Sequence, residues 1–297
     1  MKIVFIGFGS IARQHAEILL NGYDHELIAF RSQHNGRPNP FGLDEVYSWE
    51  ELFAFHPEIA FITNPTNLHI ETAIQCANMG MHLFIEKPLS NSLDGIDKLV
   101  QICRERKLTC YTAYCLRFHP VIQKIREIIA DKDIYHARVV CSSYLPDWRP
   151  NQDYKQGYSV LSERGGGVLL DLSHEFDYIN YLFGPIEDMY GLYGRLTDIT
   201  IDAEDFADVI IETAKDINVN LHLDYFSHHN ERTIKIDFEG GYLIGDLINN
   251  RIQYSYNRKE EIIDLKGDKK DYLKAQIDYY FNSLGSNSIM NNMTEAS

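Results

Sequence analysis

Lys2-Ile3-Val4-Phe5-Ile6-Gly7-Phe8-Gly9-Ser10-Ile11-Ala12 joins a short apolar run to a G-x-G-x-x-A turn, and helical spacing follows at once over residues 11–20. Strand, glycine turn and helix in that order are the context that a dinucleotide-binding reading of such a motif requires. Gly7 permits the tight turn, Gly9 lets the backbone approach a pyrophosphate without a Cβ in the way, and Ala12 keeps the helix close to the sheet. The helix start supplies amide donors and the positive end of its dipole. Gly7, Phe8, Gly9, Ser10, Ile11 and Ala12 are therefore the candidate pyrophosphate-binding residues.

The same alternation continues outward. Apolar runs at 2–8, 26–30, 59–63, 82–85 and 108–114 are separated by helical patterns at 11–20, 69–79 and 93–104. Strands spaced by helices of this length need right-handed crossovers and a parallel sheet, which predicts a doubly wound α/β Rossmann domain over residues 1–118. After Pro120 one more helical pattern runs to about residue 130, and the period then changes to alternating segments at 135–144, 189–196, 206–213, 219–226, 233–238 and 251–256. Turn signals such as Glu239-Gly240-Gly241 lie between them. The pattern predicts a mostly antiparallel sheet and an α+β second domain over residues 119–297.

Bulk properties narrow the function classes. The chain has 297 residues, 44 % hydrophobic and 24 % charged, with a formal charge of -15. That acidity excludes nucleic acid as the expected partner, since affinity for it rests on clustered Lys and Arg. The five cysteines, Cys76, Cys103, Cys110, Cys115 and Cys141, are odd in number and show no close C-x-x-C pair. Neither a disulfide framework nor a metal site is expected, and reduced thiols fit a cytoplasmic protein. The opening run is too short for a signal-peptide core, and no stretch approaches the roughly 18 apolar residues of a membrane span.

The choice of dinucleotide falls at the end of the second strand, where an acid roughly 20 positions past the glycines would bind the ribose hydroxyls of NAD. Here the strand ends Ala29-Phe30-Arg31-Ser32. A guanidinium and a hydroxyl suit a 2′-phosphate, so NADP is the favoured cofactor. NAD is the alternative if Arg31 is a solvated surface charge and a nearby acid such as Asp44 serves the ribose.

Further motifs carry a family resemblance. Asn64-Pro65-Thr66-Asn67 with His69 follows the strand at 59–63, Glu86-Lys87-Pro88 follows the strand at 82–85, and Arg117-Phe118-His119-Pro120 opens the second half. With Gly165-Gly166-Gly167, Asp171, His174 and Asp177, the chain resembles the glucose-fructose oxidoreductase and inositol dehydrogenase family, Gfo/Idh/MocA, over nearly its whole length. The resemblance implies a hydride transfer to or from a secondary alcohol or ketone of a sugar, sugar acid or nucleotide-sugar. It implies that Asn64, Pro65, Thr66, His69, Glu86 and Lys87 belong to the cofactor site, and that Lys87 and His174 line the nicotinamide pocket with Asp171 beside them. It also implies a homo-oligomer, dimer or tetramer, built through the C-terminal sheet. One departure is visible: the family's D-x-x-x-H spacing is D-x-x-H here, which puts the role of Asp171 in question. Family members commonly continue past residues 293–297 into one last helix.

Residue chemistry supports these roles independently. Oxidising a carbinol requires removing the hydroxyl proton as well as a hydride, so a base or donor must lie near the reacting carbon. Histidine titrates in the useful range unaided; lysine serves when shifted down, or as a cationic donor. A single helix over 168–182 is expected to project Asp171 and His174 from one face, although a histidine there also suits a core role and Asp177 a helix-to-helix contact. The segment Tyr144-Leu145-Pro146-Asp147-Trp148-Arg149-Pro150 offers rings and charges to a sugar, which makes Trp148, Arg149 and Arg164 substrate candidates. The plainer alternatives are that Trp148 fills a packing gap and Arg149 pairs with Asp147. Arg117 is a candidate for substrate or for backbone carbonyls. Two rival functions remain: a catalytically silent dinucleotide sensor, and a lyase or glycosidase whose NAD is oxidised and reduced within each turnover.

Overall fold

The computed structural model describes residues 1–32, 39–149, 153–286 and 289–296. The chain divides into two compact units, Met1–Tyr114 with Leu273–Ser297, and Cys115–Tyr272.

The first unit begins β1 (Lys2–Ile6), α1 (Ser10–Gly22), β2 (Glu26–Phe30), β3 (Asp44–Val46), α2 (Trp49–Phe55) and β4 (Ile59–Ile62). It continues α3 (His69–Asn78), β5 (His82–Ile85), α4 (Ile96–Arg106) and β6 (Cys110–Thr112). Among the described residues, six strands pair in the order β3-β2-β1-β4-β5-β6, all parallel. This is a doubly wound sheet whose strand order reverses between β1 and β4, where such sheets bind ligands. Both faces are covered, which explains the continuously apolar strands. Val4, Ile6, Ala60, Ile62, Leu83 and Ile85 pack beneath α3 and α4. On the other face Phe61 stacks on Phe84 with ring centroids 4.4 Å apart. In α1 the buried residues Ala12, His15, Ala16 and Leu19 recur three or four apart, one apolar stripe with a histidine in it.

The second unit contains α5 (Pro120–Ile129), β7 (Ile134–Tyr144), α6 (Val168–Asp171) and α7 (His174–Phe183). Its remaining strands are β8 (Ile186–Gly194), β9 (Phe206–Thr213), β10 (Asn218–Asp224), β11 (Phe226–Phe238), β12 (Gly241–Asp246), β13 (Arg251–Tyr256) and β14 (Lys259–Asp264). Among the described residues, eight strands order as β14-β13-β12-β11-β7-β10-β9-β8, antiparallel throughout except β7 with β10. Helices cover one face. At Gly245 a Cβ would lie 2.7 Å from Ile125 Cδ1, so the missing side chain is what lets α5 cross β12 so closely. α7 joins that face through Glu175, whose carboxylate accepts two hydrogen bonds from Arg232 of β11, at 2.7 and 2.9 Å. Then α8 (Lys269–Asn282) and α9 (Met293–Ala296) follow; from Leu273 onward the chain groups with the first unit, where Tyr280 meets Phe84 edge to face.

Two expectations change. The segment 168–182 is two helices, interrupted at Leu172 and Ser173, so Asp171 closes one and His174 opens the next. β12, β14 and α8 lie outside the segments read from periodicity. β14 is almost wholly exposed and so has no apolar face to betray it, and the buried stripe of α8, Leu273, Gln276, Ile277 and Tyr280, is interrupted by a polar glutamine.

The uncovered face of the eight-stranded sheet carries one titrating group with a clear stability consequence. His222 Nδ1 lies 2.6 Å from the Asp208 carboxylate and Nε2 lies 3.0 Å from Asp224. The bonds to Asp224 and Asp208 outweigh partial burial and raise its pKa from 6.5 to about 9. A folded-state pKa above the unfolded value stabilises fully below pH 6.5 and is lost as pH rises through about 9. Urea-melt midpoints should fall across that window, and His222→Gln should flatten the fall; an unchanged slope in the variant would exclude the pair as its source.

Candidate active site

The turn after β1 is shaped by one close approach. Gly7 has φ +83°, and a Cβ there would lie 2.9 Å from Asn64 Cα, in the turn after β4. Any other residue would clash with that backbone and be strained as well. Gly9 then caps α1 with no side-chain hydrogen bond, no acidic residue lies in the helix's first turn, and open space surrounds the position of its absent Cβ. The first amides of a helix have no intrahelical partners. With no side-chain cap and no acidic residue in the first turn, they fit an anion such as a pyrophosphate. The Phe8 ring packs edge-on to Phe5 and Phe41, Ser10 is exposed and Ala12 is fully buried.

At the end of β2, Arg31 Nη1 donates to the Glu45 carboxylate at 2.6 Å, and Ser32 is exposed beside it. Glu45 also accepts from Asn39 at 3.1 Å and from the Tyr47 hydroxyl. Burial raises this carboxyl's pKa, but the bonds from Tyr47, Arg31 and Asn39 together bring it down to about 2. Arg31 is therefore no freely solvated charge, and Glu45, which the sequence reading passed over, is the acid it meets; Asp44 is exposed.

The turns after β1, β4 and β5 are tied together. Thr63 Oγ1 donates to the Gly7 carbonyl at 2.8 Å. His69, buried at the start of α3, places one ring nitrogen 2.9 Å from the Asn64 carbonyl and the other 2.9 Å from the Pro88 carbonyl. Thr66 is buried and Pro65 exposed. Glu86 is buried, and its carboxylate accepts from His15 Nε2 at 2.6 Å. Lys87 is half-buried between these fixed neighbours, and its bond to Pro88 is cis.

In the second unit two glycines of the triplet leave no room for a side chain. A Cβ on Gly166 would sit 2.6 Å from the Tyr158 carbonyl, and one on Gly167, at φ +97°, would sit 2.3 Å from the Glu204 carboxylate. Glu204 accepts from the Leu169 amide at 3.0 Å, capping α6. Asp171 is buried, and its carboxylate accepts from Tyr158 at 2.5 Å and Ser159 at 2.7 Å, with the Tyr225 hydroxyl 3.1 Å away. Burial, and next the Asp171 charge, push the Tyr225 phenol well above its ordinary range, so it remains a donor. Trp148 stands edge-on to Tyr225 at 5.2 Å, and the Arg149 guanidinium lies 5.9 Å from the centre of the Tyr158 ring. Two of the substrate candidates thus border the Asp171 cluster. Arg164 is exposed just before the triplet, His174 is half-buried, and Pro150 lies outside the described residues.

Arg117 departs from its expected place among the substrate contacts. It is 2 % exposed and donates from Nε and Nη2 to Asp177, the latter bond at 2.8 Å, with Tyr181 against its guanidinium. Breaking such a buried pair costs about 3–5 kcal/mol, which makes it a fastening between α7 and the segment before α5. The residues missed from sequence are of one kind: Glu45, Tyr158, Glu204 and Tyr225 act through partners distant in sequence, and a lone histidine on an apolar stripe, as His15 is, reads as core. Among the described residues no group of three or more His, Cys, Asp or Glu side chains could hold a metal ion.

An uncapped helix start at the switch point of a doubly wound sheet, with a lysine on a neighbouring turn, defines a dinucleotide-binding domain. The chain belongs to the Gfo/Idh/MocA oxidoreductases: residues 1–114 match the family's NAD-binding Rossmann fold and residues 122–267 its C-terminal domain. It is 25 % identical to myo-inositol 2-dehydrogenase of Thermotoga maritima over 275 residues, 90 % of this chain and 74 % of that one. An uncharacterized oxidoreductase of Synechocystis is 28 % identical over 204 residues, 62 % of this chain and 54 % of the other, so the match spans about half that relative's length. In fold the chain is similar to UDP-N-acetylglucosamine 3-dehydrogenase from Acidithiobacillus ferrooxidans, with TM-score 0.83, 20 % identity and coverage of 100 % and 93 %. It is similar also to levoglucosan dehydrogenase in complex with NADH, with TM-score 0.87, 16 % identity and the same coverage. No helix among the described residues is long and apolar enough to cross a membrane.

Proposed function

We propose that this chain is an NAD(P)-dependent dehydrogenase acting on a secondary alcohol or ketone of a sugar, sugar acid or nucleotide-sugar. The observation that carries the reading is Lys87, placed directly after β5 in a set of turns hydrogen-bonded around the glycine turn of β1. Open α/β sheets bind their ligands at this carboxyl edge. The substrate class is supported by the relatives, named for myo-inositol, UDP-N-acetylglucosamine and levoglucosan.

Bound nicotinamide supplies the hydride donor or acceptor. The chain's own part is the proton: Lys87 and His174 are assigned to move it at the substrate hydroxyl. Asp171, enclosed by three hydroxyl groups, is assigned to fix the segment that carries His174. Trp148, Arg149 and Arg164 are the proposed sugar contacts, a ring for C–H faces and charges for hydroxyls or acids.

NADP is the proposed cofactor, with Arg31 and Ser32 at its 2′-phosphate. The observation that favours NAD instead is Glu45, whose charge beside Arg31 opposes a phosphate. We also assign self-association to the uncovered sheet face, where Tyr190, Leu192 and their neighbour Ile210 are exposed apolar groups, Leu192 to 74 %. The cytoplasmic assignment is supported by five free, buried thiols.

Purified protein, its mass first read by light scattering for more than one chain, is titrated with NADPH and NADH. It is then assayed on myo-inositol, D-xylose, levoglucosan and UDP-N-acetylglucosamine. Lys87→Met should retain cofactor affinity and lose about 10²-fold or more in turnover; a variant as fast as the parent removes Lys87 from the mechanism. Arg31→Ala should weaken NADPH about tenfold or more with little effect on NADH, and Glu45→Gln should strengthen NADPH by releasing Arg31. The opposite pattern, with Glu45→Gln weakening NADH, would assign the site to NAD.

A further inference from the structure

We infer that His15 and His69 are positioning residues that brace Lys87 from its two sides, through Glu86 and Pro88, and tie it to the turn that receives the pyrophosphate. The inference rests on the assignment of Lys87 above and concerns what sets its place.

His15 is fully buried on α1, against the rings of Phe84 and Phe61 at 5.2 and 5.8 Å. Its Nδ1 is buried with no hydrogen-bond partner among the described residues, so the one polar contact the ring makes is Nε2 to Glu86, at 2.6 Å. A carboxylate buried near phenyl rings is costly unless paired, and an apolar pair would fill the same space at no such cost. What the pair adds is a fixed direction. α1 starts at the glycine turn, and Glu86 immediately precedes Lys87.

The other side is held by His69. Carbonyl oxygens only accept, so a neutral ring donates to one of its two carbonyls and a protonated ring to both. In either state the ring is wedged between the turn after β4 and the residue following Lys87 and hydrogen-bonded to at least one of them. The Asn64 that it grips is the residue whose Cα excludes a side chain at Gly7. A closed circuit results: α1, His15, Glu86, Lys87, Pro88, His69, Asn64, Gly7 and back to α1. Lysine has a long flexible stem, so its ammonium is placed only as well as its backbone is. A misplacement of about 1 Å at a reacting centre can cost about 10²-fold in rate. Both histidines are buried, which makes them braces and not groups that touch substrate.

Double-mutant cycles test this. His15→Leu, His69→Leu, His15→Gln and His69→Gln are made in the parent and in Lys87→Met, reading kcat on the fastest of the four substrates and NADPH Kd by nucleotide fluorescence. Each Leu variant should lower kcat about 10²-fold in the parent, a larger factor than any weakening of NADPH binding, and have no further effect on kcat once Lys87 is Met. The Gln variants, which restore a donor, should recover most of the loss. Equal losses in both backgrounds would show general structural support and overturn the proposal, as would Leu variants with parental kcat. If Lys87→Met itself is as fast as the parent, the lysine assignment falls and the brace with it, whereas a slow Lys87→Met with additive histidines sinks the brace alone. Should a Leu variant fail to fold, His15→Asn, too short to reach Glu86, or His69→Asn, which can keep only the Pro88 link, takes its place.

Discussion

The first unit's site depends on the meeting of Gly7 with the backbone of Asn64, where the turns after β1 and β4 approach too nearly for any side chain. The two strands are neighbours at the point where the sheet reverses its order, so their turns must diverge to opposite faces of the sheet. The positive φ at Gly7 makes that divergence possible and directs the following amides outward. Most of the site in the first unit is a consequence. Thr63 and His69 bond to carbonyls in these turns, and the lysine turn is held to the same framework.

Three buried ion pairs fasten segments to one another. His15 with Glu86 holds the turn after β5, Arg117 with Asp177 holds the entry to α5 against α7, and Arg232 with Glu175 holds α7 against β11. Such pairs add little net stability over apolar packing, but leaving either partner alone is strongly unfavourable. They therefore select one arrangement of the backbone, which is what a site built on turns requires.

Much of this was legible in residue order. The parallel sheet followed from apolar runs spaced by helices, the phosphate turn from Gly7, Gly9 and Ala12 on a strand-to-helix junction, and the second sheet from a change of period. What could not be read is what depends on long-range partners or on weak patterns. β14 is exposed along nearly its whole length, α8 lacks a clean apolar stripe, and the break at Leu172 and Ser173 lies inside a run whose spacing alone suits one helix. Glu45, fourteen positions after Arg31, gives no local sign of meeting it. Arg117 looked available for a sugar until Asp177, sixty positions away, closed on it.

The amides at the start of α1 are proposed to receive a pyrophosphate. A crystal structure of the protein grown with NADPH tests this most directly. Pyrophosphate oxygens within hydrogen-bonding distance of the main chain at residues 9–12, with Gly7 still against Asn64, are the predicted result. A cofactor bound elsewhere, or a first turn of α1 whose amides are met by another part of the chain, would contradict it.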